Sequence, residues 1–182
     1  MKVLKYILFV LLGIVALVLI IPVFMSSTYH VERSIEITAP DSLVFAILSD
    51  YGMRGSWDPW LEMEPNAKVT YSEPSSGVGA TYEWQGEVLG SGSMRMLETV
   101  PYKSIKSELK FISPQEGQGI VTWMLDGHDG VVKAAWSIDG DLDYPVGRLL
   151  GPMMDGWLGP DLEKGLNNLK KLCEEKAAQS QM

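Results

Sequence analysis

Only one cysteine, Cys173, occurs in 182 residues, and histidine occurs only at His30 and His128. A lone thiol excludes an intramolecular disulfide, a cysteine-based zinc site and a redox thiol pair, so the fold must rest on packing alone. Positive charge is scarce as well: 15 Lys and Arg stand against 23 Asp and Glu, a net charge of −8. Without a basic stripe to gather phosphates, the electrostatic attraction that carries most nucleic-acid affinity is missing, and nucleic acid is excluded as a partner. No nucleophile elbow, His-Glu-x-x-His run, phosphate loop or dinucleotide fingerprint is present. The sequence therefore offers no catalytic residue, no metal ligands and no cofactor site. Asp126, His128 and Asp129 sit in a turn-like stretch, where neighbouring polar residues are ordinarily just solvated.

Apolar residues are not scarce. They make up 46% of the chain against 21% charged, the usage of a folded globular protein. Tyr6 to Met25 runs for 20 residues without a charge, and fifteen of them are Ile, Leu, Val or Phe. At 1.5 Å per residue this run crosses about 30 Å of hydrocarbon. Its apolar side chains favour insertion by roughly 4 to 9 kcal/mol. A cleaved signal peptide is the rival reading, but its apolar core is normally shorter, and Pro22 to Thr28 lacks a clear small-x-small cleavage site. The segment is therefore expected to be an uncleaved transmembrane anchor. Lys2 and Lys5 precede it, whereas Ser26 to Asp41 carries only Arg33 against Glu32, Glu36 and Asp41. The positive-inside rule then puts the N-terminus in the cytoplasm and the soluble domain in the periplasm or otherwise outside the cytoplasm.

Beyond the anchor there is chain for one domain. The expected organisation is an anchor over residues 1–27, a domain over 28–176 and a flexible tail over 177–182. Tyr29 to Ile37 alternates like a half-buried strand, with Arg33 as the exception. Pro40 introduces a short helix running to about Asp50, and Tyr51 to Trp60, with Gly52, Gly55 and Pro59, is a tight packed connection. Strand signals follow near 67–72, 80–88, 93–99, 104–112, 119–126 and 131–139, spaced as an antiparallel meander. Val146 to Leu158 is helical only with interruption. Pro160 and Asp161 then open a long helix whose stripe of Leu162, Gly165, Leu166, Leu169, Leu172 and Cys173 must be covered. An α+β fold results, with a curved antiparallel sheet around a long C-terminal helix, leaving a cavity between them.

The order of these elements, together with Ala39-Pro40, Trp57 to Trp60, Gly77 to Trp84, Val121 to Trp123 and Gly159 to Lys170, resembles the START-like SRPBCC superfamily. Within it, the polyketide cyclase/dehydrase and lipid transport group is the most similar. The resemblance implies a helix-grip fold with an apolar interior that binds lipids, polyketides or other hydrophobic small molecules. It does not imply one reaction, and the N-terminal anchor departs from the commoner soluble members.

Strand alternation places Tyr82 with Trp84, Met94 with Met96, and Trp136 with Val132, Ala134 and Ile138. Tyr82, Trp84, Met94, Met96 and Trp136 are thus the expected ligand lining, with core packing as the alternative for each tryptophan. A register error of one residue would turn Glu83 and Arg95 inward instead. Met153, Met154 and Trp157 form either a lid or a plain loop. The leading function is a membrane-anchored binding module for a hydrophobic small molecule or lipid. Two alternatives stay open. One is an acid–base enzyme acting on a bound polyketide-like or lipid substrate through an inward Glu83 or through His128. The other is a ligand-free protein-interaction module; no oligomeric state is assigned.

Overall fold

A computed structural model describes residues 2–180 of the chain. Lys2–Ile20 forms helix α1, continued by a 3-10 turn over Ile21–Phe24. The span Val3–Phe24 is long and apolar enough to cross a membrane, and nearly all of it is bare of protein contact. Pro22 supplies no N–H to the preceding turn, which ends the regular helix there.

Strand β1 (Thr28–Ile37) follows, then α2 (Asp41–Leu48), a 3-10 turn (Tyr51–Ser56) and the short α3 (Pro59–Met63). Six strands come next: β2 (Lys68–Tyr71), β3 (Thr81–Gln85), β4 (Ser91–Val100), β5 (Ser104–Ser113), β6 (Gly117–His128) and β7 (Val131–Asp141). All pair antiparallel in one seven-stranded sheet of order β1-β7-β6-β5-β4-β3-β2, so the N-terminal strand closes the meander on its last member. The chain then forms α4 (Val146–Leu150), a 3-10 turn (Gly151–Met153) and the 26-residue α5 (Met154–Gln179), which lies along β1 on the inner face of the sheet.

Period two dictates which side chains enter the core. Val121, Trp123 and Leu125 of β6 and Val132, Ala134, Trp136 and Ile138 of β7 are buried, while the intervening Lys133 is exposed. On α5 the stripe Leu162, Gly165, Leu166, Leu169 and Cys173 is buried against them, with Leu172 half-buried at its margin. Trp123 and Trp136 face each other across β6 and β7 and stack at 4.7 Å between ring centres, and Trp57 meets both edge-on at 5.7 Å.

Three elements differ from the sequence expectation. First, α5 begins at Met154, so Pro160 lies inside the helix rather than at its start. An internal proline removes one backbone hydrogen bond and crowds the preceding turn. Arg33 bridges this stretch, its Nη1 donating to Asp155 and its Nε to Glu163, each at 2.8 Å. Asp155, Gly159 and Glu163 recur every four residues on one helix face, and a Cβ at position 159 would lie 2.2 Å from the Arg33 guanidinium. The inward exception in the β1 pattern is thus a strap between sheet and helix. Second, β3 stops at Gln85 rather than running to Val88, because the next backbone groups turn to a carboxylate described below. Third, α5 continues through Gln179 with Ala177 buried, so the expected tail from residue 177 is helical over its first three residues. Residues 181 and 182 of that tail lie outside the described residues, as does Met1 of the expected anchor.

Candidate functional site: an apolar cavity with a buried ion pair

Between the inner face of the sheet and the first turns of α5 lies a cavity of about 350 Å³, at the lower end of the roughly 300 to 1,000 Å³ usual for small-molecule sites. Tyr82 and Trp84 come from β3, Met94 from β4, Leu109 and Phe111 from β5, and Val121, Trp136 and Ile138 from β6 and β7. Met154 and Leu158 of α5 cover the space together with Tyr29 and Trp60, and Val88 and Leu89 reach it from the β3–β4 loop. Tyr82 and Trp84 stack at 5.4 Å, and Phe111 meets Trp84 edge-on at 5.9 Å. Gly92 faces Trp84 across the strands, and a Cβ there would stand 2.3 Å from the indole, so the glycine makes room for that ring.

Of the expected lining, Tyr82, Trp84, Met94 and Trp136 border the cavity, and Met96 does not. Met96 shares the inward phase but lies farther along β4, opposite Ser107, whose hydroxyl accepts a hydrogen bond from Tyr51 Oη at 2.8 Å. That end of the sheet is filled core, where Met96 is buried. The tryptophans divide: Trp57 and Trp123 are core, Trp60, Trp84 and Trp136 border the cavity, and Trp157 is half-exposed on the outside of α5.

The polar part of the wall is a pair that the sequence reading passed over. Arg54 is 4% exposed and Asp58 2%, and Arg54 Nη2 donates to Asp58 Oδ2. The remaining carboxylate oxygen, Oδ1, caps α3 by accepting from the backbone N–H of Trp60 at 2.9 Å and of Leu61 at 3.3 Å. The guanidinium lies 5.1 Å from the ring centres of both Trp57 and Tyr82. Burial opposes the charge on Arg54 most strongly, but the adjacent Asp58 carboxylate, through its charge and its hydrogen bond, favours the charged form and the guanidinium stays protonated. Burial also raises the Tyr82 hydroxyl, which keeps it protonated. Arg54 Nε and Trp136 Nε1, both buried on residues that border the cavity, have no hydrogen-bond partner among the described residues. The cavity wall is thus largely apolar, with buried donors on Arg54 and Trp136 that lack acceptors among the described residues. The signal for this pair in the sequence is Asp58 before Pro59, a helix cap and first turn, with an arginine four residues earlier between buried aromatics.

The loop at the cavity mouth is held by Glu64, whose carboxylate accepts three successive backbone N–H groups, from Glu87 at 2.7 Å, Val88 at 3.1 Å and Leu89 at 2.9 Å. These bonds, that from Leu89 foremost, hold the Glu64 carboxyl below the ordinary carboxylate value of 4.5. A group with a depressed folded pKa stabilises its loop fully above its unfolded value and loses that contribution as the pH falls through its folded pKa. The amide resonances of Glu87, Val88 and Leu89 are therefore expected to titrate together with a midpoint below 4.5, and Glu64→Gln should abolish that titration. A shared midpoint at or above 4.5 would show that the carboxylate does not hold the loop.

The residues considered for acid–base chemistry lie elsewhere. Glu83 is exposed on the outer face of β3. His128 is exposed at the β6–β7 hairpin, 2.8 Å from Asp126, and neither borders the cavity. His30 pairs with Asp139 at 2.6 Å on the surface. Among the described residues no group of three His, Cys, Asp or Glu side chains is placed to hold a metal.

A curved antiparallel sheet gripping a C-terminal helix around an apolar cavity defines a START-like, helix-grip domain. The chain belongs to the family described as polyketide cyclase / dehydrase and lipid transport, whose sequence pattern matches residues 28–174. None of the curated protein sequences matches it significantly. Solved structures share its fold. The Zhui aromatase/cyclase from Streptomyces sp. R1128 is 18% identical with a TM-score of 0.59, over 82% of this chain and 95% of that one. A START superfamily protein from Mycobacterium smegmatis is 17% identical with a TM-score of 0.57, over 81% of this chain and 98% of that one. A protein from Chromobacterium violaceum is 19% identical with a TM-score of 0.58, over 82% and 99%.

Proposed function

We propose that the chain is a membrane-tethered module that binds a hydrophobic small molecule or lipid in the cavity, with α1 as the tether and the domain outside the cytoplasm. The observation that carries this reading is the cavity itself: an aromatic and thioether wall that includes the buried, charged Arg54. Such a wall suits an apolar ligand that carries a hydrogen-bond acceptor, since Arg54 Nε lacks a partner among the described residues. A tether serves this role by holding the cavity where apolar ligands concentrate. Lys2 and Lys5 ahead of the uncharged run Tyr6 to Met25, and the acidic stretch after it, support a cytoplasmic N-terminus.

The acid–base reading keeps one supporting observation. A buried guanidinium beside an apolar space would stabilise negative charge developing on a bound carbonyl oxygen. Glu83 and His128 lend it nothing, because neither borders the cavity.

Three measurements on the full chain test the proposal. Native mass spectrometry of protein extracted in mild detergent should retain a lipid or other apolar molecule. Titration with long-chain lipids should give a saturable tryptophan signal, which Trp84→Ala weakens about tenfold by removing a large aromatic contact while leaving the unfolding transition in place. An empty protein with no saturable response across a broad panel would sink the binding reading in favour of the interaction module. A reporter active only outside the cytoplasm, fused after Met182 and silent although stably expressed, would reverse the topology.

A further inference from the structure

The chain between β7 and the cavity wall exposes Tyr144, Val146, Leu150, Met153 and Trp157 within 14 residues. Two polar side chains of the same segment reach the end of the apolar helix. Tyr144 donates its hydroxyl to the Leu19 carbonyl at 2.5 Å, and Arg148 Nη1 donates to the Pro22 carbonyl at 3.3 Å. Pro22 interrupts the helix ladder at this level, and a carbonyl left without a donor in or near hydrocarbon is costly. The segment adds a donor at both carbonyls, joining the Met25 N–H that already reaches Pro22 at 3.3 Å. Because Leu19 and Pro22 lie inside the span Val3–Phe24, these bonds fix Tyr144 and Arg148 at the depth where that span ends.

We infer that Tyr144–Trp157 lies in the interfacial layer of the bilayer that holds α1, an inference that rests on α1 being the tether. The chemistry fits a lipid surface. Tyrosine and tryptophan, at the two ends of the segment, settle at the headgroup level, and Val146, Leu150 and Met153 between them present apolar area to the acyl boundary. Of the charged groups nearby, Arg148 is engaged by the helix end, Asp155 is held by Arg33, and Asp143 is exposed. A protein partner would meet the same side chains, but a lipid surface is already beside them wherever α1 is inserted. The consequence concerns access: Met154 and Leu158, next to Met153 and Trp157, border the cavity. Ligand then passes between the bilayer and the cavity along this apolar edge without crossing water.

The test uses the full chain in phosphatidylcholine vesicles with brominated acyl chains, which quench a nearby fluorophore. A thiol-reactive fluorophore is placed at Met153→Cys or Val146→Cys in the segment, at Leu12→Cys within α1, and at His128→Cys, with buried Cys173 left in place. His128 ends β6 and pairs with Val131, at the end of β7 opposite Asp141, about 33 Å away. Quenching at positions 153 and 146 should exceed that at 128 by about twofold or more. Quenching there equal to that at 128, with strong quenching at 12, would place the segment in water and overturn the inference while the tether stands. An unquenched label at 12 would overturn the tether and the inference with it.

Discussion

Asp58→Asn is expected to destabilise the domain by about 3 to 5 kcal/mol, because it leaves the guanidinium of Arg54 buried without a counter-charge. Arg54 is 4% exposed, so water cannot take over the role of the carboxylate. Asp58→Ala should cost about 1 kcal/mol more, since the cap on the N–H groups of Trp60 and Leu61 goes with it. Against a total stability of roughly 5 to 15 kcal/mol, either change leaves a weakened fold. Replacing both partners by leucine should cost less than Asp58→Asn alone, because no unpaired charge is then left in the interior. Denaturant unfolding of the detergent-solubilised chain, followed by circular dichroism, reads all three. A loss below about 1 kcal/mol for Asp58→Asn would mean that the pair is solvated, as surface pairs are, and Arg54 would then be no fixed feature of the cavity wall.

The pair also marks the boundary of what the amino-acid pattern reveals. Strands β1 to β7 and the stripe on α5 were readable because each buries one face, and burial writes a period of two or of about 3.6 into the sequence. The inward set of Tyr82, Trp84, Met94 and Trp136 follows from the same alternation. Phase gives the face of a strand, not the position along it, and so it could not separate Met94 at the cavity from Met96 in the filled core. Charges that act inward are hidden for a different reason. Arg33 and Glu64 look like ordinary polar residues until their partners on distant segments are known, Asp155 and Glu163 on α5 and the amides of residues 87–89, and Arg54 and Asp58, though only four residues apart, show their burial only once Tyr82 is brought over them. The same holds for Pro160, a local stop signal overridden by the strap from Arg33.

Leu166→Ala should cost about 2 to 5 kcal/mol, the range for deleting a buried leucine side chain when the surroundings relax only in part. Leu166 is 1% exposed, flanked on its own helix by the fully buried Leu162 and Leu169, and faces a sheet whose inner side carries large, mutually stacked rings. Stacked tryptophans have little freedom to move into a new void, which favours the upper part of that range. Lys171→Ala, on the exposed face of the same helix, should stay within about 0.5 kcal/mol. Both variants can be read in the detergent-solubilised chain by denaturant unfolding, with the slope of the transition unchanged. The contrast between them is the informative quantity, because helix propensity alone favours alanine at either position. Equal and small losses would place both faces in solvent and remove the grip of sheet on helix. A large loss at Leu166 alone would show that α5 is held by its buried stripe. The cavity-lining Met154 and Leu158 lie two to three turns earlier on the same helix, so their placement over the cavity depends on that hold. Leu166→Ala should nevertheless lower stability far more than it weakens ligand binding in the absence of denaturant, since the molecules that remain folded keep the wall intact.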